Sequence, residues 1–262
     1  MDKILTISNE EYQAIEAMSF TAMKEFLKSP AHFMAYKKKP RTKSTSAQII
    51  GTAVHAAILE PDTFESKFTI LDGHRGSKAV KEQLEYYEAA GIQALTTEQM
   101  DSARFARDAV LNHPVIRDLL TADGIAEGSI VTEDVESGAP IKCRPDFFIP
   151  DAGVILDLKT FDDLRDRSVE RQITQQAYDL QAIHYLNVGS NYTGKSLRLF
   201  GNIFIEIDDP YGVRMVGISD ASLEKAHEKY KYRENLLRYK GCLDSGQWPN
   251  YDTAPYNAEL FF

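Results

Sequence analysis

The sequence predicts an α/β fold: a central mixed β-sheet flanked by helices, with helical additions in front of it. Three observations predict this. Apolar residues follow helical spacing through most of the first 125 residues. From about 126 to 218 the pattern shifts to short runs rich in β-branched and aromatic residues. Helical spacing returns within that region at about 169–188 and again near the end, so helices and strands share one core. At 262 residues the chain suits a single domain, with no internal repeat and no interdomain linker. Its expected parts are a mainly helical 1–125, a sheet core over 126–218, and a closing helix and tail over 219–262.

Taken in order, residues 19–33 (SFTAMKEFLKSPAHF) begin with hydroxyl residues suited to a helix N-cap, and the helix is expected to end near Pro30. Residues 47–59 (AQIIGTAVHAAIL) read as a buried helix stopped by Glu60-Pro61, with Gly51 and His55 one turn apart on one face. A glycine-punctuated loop over 72–78 precedes a helix over 78–90. Another helix is expected over 96–111, with Thr97 as its cap. Residues 126–133, 141–149 and 154–160 read as three consecutive antiparallel strands. A helix over 169–188, strands over 197–207 and 212–218, and a helix over 222–241 complete the chain.

Composition excludes several classes of function. No apolar run reaches the roughly 18 residues of a membrane span. The beginning of the sequence is acidic and polar instead of basic and then apolar, so a cytoplasmic location is expected. Cys143 and Cys242 are too few for a disulfide framework or a four-thiolate cluster. The net charge of −9 argues mildly against a nucleic-acid partner, but the distribution of charge matters more than its sum. Basic stretches lie at 37–43 and 225–240.

The chemistry concentrates in a hairpin. Between IKCRPDFFI (141–149) and VILDLKT (154–160) lies Pro150-Asp151-Ala152-Gly153, a turn composition. If the hairpin folds about the middle of that turn, Asp146 and Asp157 lie directly opposite, with Cβ atoms about 5 Å apart. Lys159 is two residues from Asp157 and shares its face. Two facing carboxylates repel each other, and a divalent cation between them removes the repulsion. Asp146 and Asp157 therefore read as acidic metal ligands, and Lys159 as a group that holds or deprotonates a water. The bland alternative is a surface hairpin with an Asp–Lys ion pair.

Other candidates are weaker. His55 could complete a metal shell of carboxylates, or be a satisfied core histidine. Gln181 and Tyr185, at i and i+4, face one point and offer neutral hydrogen-bond donors. His184 lies off that face and reads as structural. Glu127 is a spare acid at the start of a strand. His74, Arg75, Ser77 and Lys78 of the glycine-punctuated loop, with Ser19 and Thr21, are candidates for gripping phosphates.

In sequence order, Gly51-xxx-His55, Pro145-Asp146, Asp157-Leu158-Lys159 and Gln181-xxx-Tyr185 resemble the PD-(D/E)XK nuclease signature in its RecB-like branch. The segments SPAHF, GTAVHAAILEP, KCRPDF, LDLKT and GQWPNY are similar to the nuclease domain of the RecE-type (exodeoxyribonuclease VIII) family of phage and prophage exonucleases. The resemblance implies a restriction-endonuclease-like core and a 5′→3′ exonuclease on linear double-stranded DNA that leaves 3′ overhangs for recombination. It implies Mg²⁺ or Mn²⁺, one or two ions per site, held by His55, Asp146, Asp157 and the Leu158 main-chain carbonyl. Lys159 takes the lysine role, and Gln181 and Tyr185 match the trailing motif. Double-stranded DNA with a free end, a RecT-like single-strand annealing recombinase and a toroidal homo-oligomer, a tetramer favoured, are the partners it implies. Asp157 stands where the generic signature more often has Glu, a choice the motif allows. An endonuclease or nickase of the same fold is the nearest alternative; the other is a non-catalytic DNA-binding module that keeps the fold without the chemistry.

Overall fold

A computed structural model describes residues 3–39, 44–71 and 77–251 of the chain. Its centre is the strand Val154–Thr160. Antiparallel to it on one side runs Phe147–Ile149, and parallel to it on the other runs Leu199–Ile205. Val213–Gly217 and Ile125–Ala126 form the two edges of this five-stranded mixed sheet.

Both faces of the central strand are covered, which is why it reads as a nearly continuous apolar run. Leu156 and Leu158 enter a core built with the helices Ser46–Leu59 and Thr97–Asn112. Ile155 enters a second core, with the helix Tyr178–Thr193 and the helices near both ends of the described chain. Each fully buried aliphatic side chain contributes about 1.5–3 kcal/mol. The packing on both faces is therefore strong enough to hold an aspartate and a lysine inside the sheet. Among the described residues no helix is long and apolar enough to cross a membrane.

The structure divides several segments that the sequence presents as continuous. The run 141–149 is two strands, Pro140–Cys143 and Phe147–Ile149, in different sheets. The run 126–133 divides in the same way, into Ile125–Ala126 and Ser129–Glu133. Ser129–Glu133 and Pro140–Cys143 join Lys3–Leu5 in a separate three-stranded sheet. Pro145 has no N–H to continue a ladder, and Glu127 takes a left-handed backbone (φ 51°). The two breaks face each other, since the Glu127 N–H donates to the Asp146 carbonyl at 3.1 Å. Arg144 pins them by donating to Ser129 Oγ (2.7 Å) and the Ile7 carbonyl (2.9 Å).

Three expected helices are also pairs. Ala177 (φ 57°) separates Asp166–Gln176 from Tyr178–Thr193, and Lys231 (φ 42°) separates Asp220–Tyr230 from Tyr232–Ser245. Pro30 begins a helix, Pro30–Lys38, instead of ending one; Ser29 caps it and proline occupies its first turn. The helix Thr97–Asn112 is capped by Thr96, in a capping box with Gln99, and not by Thr97.

His184 is fully buried, with Nδ1 2.9 Å from Tyr232 Oη and Nε2 3.0 Å from the Lys142 carbonyl. A neutral ring satisfies both contacts, donating from Nε2 and accepting at Nδ1. Burial pushes its pKa down to about 4. The unfolded chain therefore takes up a proton near pH 6.5 that the native protein refuses. This contribution to stability is complete above pH 6.5 and is lost as pH falls toward 4. Between pH 7 and 5 it amounts to about 2 kcal/mol. Urea unfolding at the two pH values should show that loss in the native protein and a flatter dependence in His184→Gln.

Candidate active site

The hairpin register places the two carboxylates. Phe147 pairs with Leu156, Phe148 with Ile155 and Ile149 with Val154, so the next position sets Asp146 against Asp157. Asp146 lies just outside its strand, at the break made by Pro145, which leaves its carboxylate free to turn inward. Its Oδ2 accepts the Leu158 N–H at 2.6 Å, and its Oδ1 lies 3.5 Å from His55 Nδ1. Asp157, 2 % exposed, accepts from Gln181 Nε2 at 2.6 Å through Oδ1 and ion-pairs with Lys159 through Oδ2. The Lys159 ammonium also sits over the Tyr178 ring, 4.5 Å from its centroid.

Two helices deliver the remaining groups from opposite faces of the sheet. Ser46–Leu59, capped by a Thr45–Gln48 box, brings His55. This helix runs close to the active strand at Gly51, where a Cβ would make an ordinary contact with Thr160 Oγ1 at 3.4 Å, so the approach does not require glycine. Tyr178–Thr193 brings Gln181 onto Asp157 and Tyr185, whose hydroxyl donates to the Arg144 carbonyl at 3.3 Å. The left-handed turn at Ala177 starts this second helix beside the active strand, so Tyr178 and Gln181 fall directly over Lys159 and Asp157.

Glu127 joins the cluster, because its strand breaks where the Asp146 strand breaks. Ligand atoms of His55, Glu127 and Asp146 all lie within 4.8 Å of one another, a grouping able to hold a metal ion. Asp157 is not in that grouping; its carboxylate is engaged by Lys159 and Gln181. Leu158 contributes its amide N–H to Asp146 while its side chain lies in the core. Ser19 and Ser77 cap helices, accepting from the Ala22 and Val80 N–H groups, and Thr21 and Lys78 are exposed. None of these four hydrogen-bonds or ion-pairs with the acidic cluster, and His74 and Arg75 lie outside the described residues.

The electrostatics are those of crowded carboxylates. Burial, then the charge of Asp146, pushes Asp157 up to about 6 despite Lys159. Burial and Asp146 likewise push Glu127 up to about 7. Burial also opposes the charges of His55, Asp146 and Lys159, but their partners outweigh it. Asp146 raises His55 to about 9, and His55 holds Asp146 below the ordinary carboxylate range. Asp157 and Asp146 keep Lys159 protonated above the usual lysine value. Oxygen and imidazole donors converging on a charge-congested, half-enclosed point suit a hard divalent cation.

The family model for a PDDEXK-like domain of unknown function (DUF3799) matches residues 19–257. The chain belongs to that family. Its fold is the PD-(D/E)XK nuclease fold, and the divalent metals used by nucleases of this class fit the donor set present in this PDDEXK-like domain. Among solved structures, the domain is similar to a "putative exonuclease" from Eubacterium rectale. The TM-score is 0.64 at 19 % identity, over 90 % of this chain and 87 % of that one. It also matches a phage-related exonuclease from Haemophilus somnus at TM-score 0.35 and 11 % identity, over 88 % and 96 % of the two chains. No curated protein matches this PDDEXK-like domain.

Proposed function

We propose that this PDDEXK-like domain is a metal-dependent exonuclease that degrades linear double-stranded DNA from 5′ ends and leaves 3′ overhangs for recombination. The observation that carries the reading is the convergence of Asp146, Asp157 and Lys159 on one point of the central sheet, with His55 and Glu127 beside them. His55, Glu127 and Asp146 would hold the cation, with Asp157 and the Leu158 carbonyl as the further ligands that the resemblance implies. A bound Mg²⁺ or Mn²⁺, one or two ions, would stabilise charge on the phosphate and lower the pKa of water.

The side chains do the rest. Lys159 is an ammonium at neutral pH, so it acts first as a hydrogen-bond donor and positive charge for the attacking water and the phosphate. It becomes a base only after its carboxylate partners are neutralised. Gln181 fixes one oxygen of Asp157, and Lys159 holds the other until the ammonium turns to the phosphate. Asp146 is aimed by a backbone N–H, so its position does not depend on a flexible partner. The acidic overall charge is compatible with DNA if basic residues line the channel of a ring. A toroidal homo-oligomer, a tetramer favoured, working with a RecT-like annealing protein, is the assembly we propose.

The test is Mg²⁺-dependent digestion of a linear duplex labelled separately at its 5′ and 3′ ends, beside a covalently closed circle. Early release of 5′ label as mononucleotide, with the circle intact, is the expected result. A cut circle would make the protein an endonuclease or nickase, and an uncut duplex would leave a DNA-binding module.

A further inference from the structure

Asn202 is fully buried on Leu199–Ile205, a strand otherwise made of apolar residues and one glycine. In the parallel register it is the partner of Asp157, so the two side chains project from the same face on strands about 4.8 Å apart. The rows on either side of them are aromatic. Phe200, beside Ile155, packs edge-to-face on Tyr185 with centroids 6.1 Å apart, and Phe204, beside Lys159, lies 6.2 Å from Tyr178. The Asn202 amide is thus walled in by the helix that carries Gln181.

Neither polar atom of the Asn202 side chain has a hydrogen-bond partner, and the same holds for Gln181 Oε1 and Asp157 Oδ2, the latter ion-paired to Lys159. Among the described residues the two Asn202 atoms and Gln181 Oε1 are buried without a hydrogen bond, and Asp157 Oδ2 has only the Lys159 ammonium, so the deficit is concentrated at one place. An asparagine amide carries two N–H hydrogens; its register partner Asp157 and the Gln181 amide bonded to that partner offer the acceptors Asp157 Oδ2 and Gln181 Oε1. A buried amide left unpaired costs free energy, and a leucine of similar volume would avoid that cost. A structural explanation for asparagine is therefore poor.

We propose that Asn202 is a positioning residue for Asp157: its amide donates to Asp157 Oδ2 and Gln181 Oε1 when Lys159 turns from Asp157 toward the reacting phosphate. In this role Asn202 replaces the lysine as the donor that holds the Asp157 carboxylate in its metal-binding orientation. A neutral donor does so without competing with the cation for charge. The inference rests on the metal-dependent reading of the site, but its test does not require cleavage.

Mn²⁺ binding by calorimetry and thermal melting, with and without Mn²⁺, are measured on the full chain and on Asn202→Leu and Asn202→Ser. Without the ion, Asn202→Leu should melt at or above the temperature of the native protein. Its Mn²⁺ affinity should fall about tenfold or more, the usual effect of removing a group that orients a ligand. Asn202→Ser, which keeps a donor, should bind Mn²⁺ more tightly than Asn202→Leu. If Asn202→Leu fails to fold, an unchanged affinity in Asn202→Ser and an equal one in Asn202→Ala would overturn the proposal. Affinity within twofold of native in a folded Asn202→Leu would overturn it directly. Failure of the native protein to bind Mn²⁺ would remove both this role and the metal-dependent reading. Mn²⁺ bound with the expected variant pattern, but no DNA hydrolysis, would remove only the nuclease reading.

Discussion

Asp157→Asn should lower metal-dependent hydrolysis of linear duplex DNA by about a thousandfold or more while leaving DNA binding in Ca²⁺ close to native. The expectation rests on charge, not shape. The asparagine keeps the volume and the bond from Gln181 but removes the carboxylate that is crowded against Asp146. Losses of about 10²–10³ are typical when a single preorganised group is removed from a transition state, and a metal ligand is expected to lie at or beyond the upper end. Lys159→Ala should be comparably inactive for the opposite reason. It leaves buried Asp157 facing Asp146 without its own countercharge, since the His55 imidazolium is paired with Asp146. That variant should also be less stable than native without divalent ions at pH 8, and should regain more from added Mn²⁺. Asp157→Ala is the less informative choice: both variants cost Lys159 its countercharge, but alanine also leaves a cavity and strips Gln181 of its acceptor, which mixes packing with chemistry. Mononucleotide release, fluorescence anisotropy and urea unfolding on the three variants separate these effects. Activity within tenfold of native in Asp157→Asn would remove the residue from the reaction.

Metal affinity should climb steeply with pH up to about 9. In the metal-free protein His55 is protonated, because Asp146 outweighs burial and raises it to about 9. A cation needs the neutral ring, so it must displace that proton. Between pH 7 and 9 the apparent Mn²⁺ affinity should therefore rise about tenfold per pH unit and then level off. Below pH 7 a second proton, on Glu127, should steepen the dependence, since that carboxyl titrates at about 7. The sign reverses for the metal-free protein. His55 is raised above its unfolded value, so its pairing with Asp146 stabilises the fold fully below pH 6.5 and that stability is lost as pH rises through 9. Calorimetry in buffers of different ionisation enthalpy counts the protons: one released at pH 8 in the native protein and none in His55→Gln. A pH-independent affinity would place the cation elsewhere than His55.

Much of this site is legible in the sequence because its spacing rules are local. A four-residue turn sets the pairing of the two strands it joins, so the sequence alone sets Asp146 opposite Asp157. Alternation puts Lys159 on the face of Asp157, and helical spacing aligns Gly51 with His55 and Gln181 with Tyr185. His184, off that face, is the buried structural residue its position suggested. These relations depend on backbone period alone and survive any arrangement of the elements.

What the local rules could not supply depends on the backbone leaving its period, or on strands far apart in the chain. Glu127, Ala177 and Lys231 adopt left-handed conformations that residues other than glycine avoid unless surrounding packing compensates. Two of them split helices that read as continuous, and the third breaks a strand and turns Glu127 toward Asp146. Asn202 looks like an odd polar residue in an apolar strand until parallel pairing sets it beside Asp157. The residue types needed for chemistry and their local facing were thus written in the chain. Packing of the two cores against the sheet decided which distant groups meet them, because burial alone makes those strained turns and that crowding of charge tolerable.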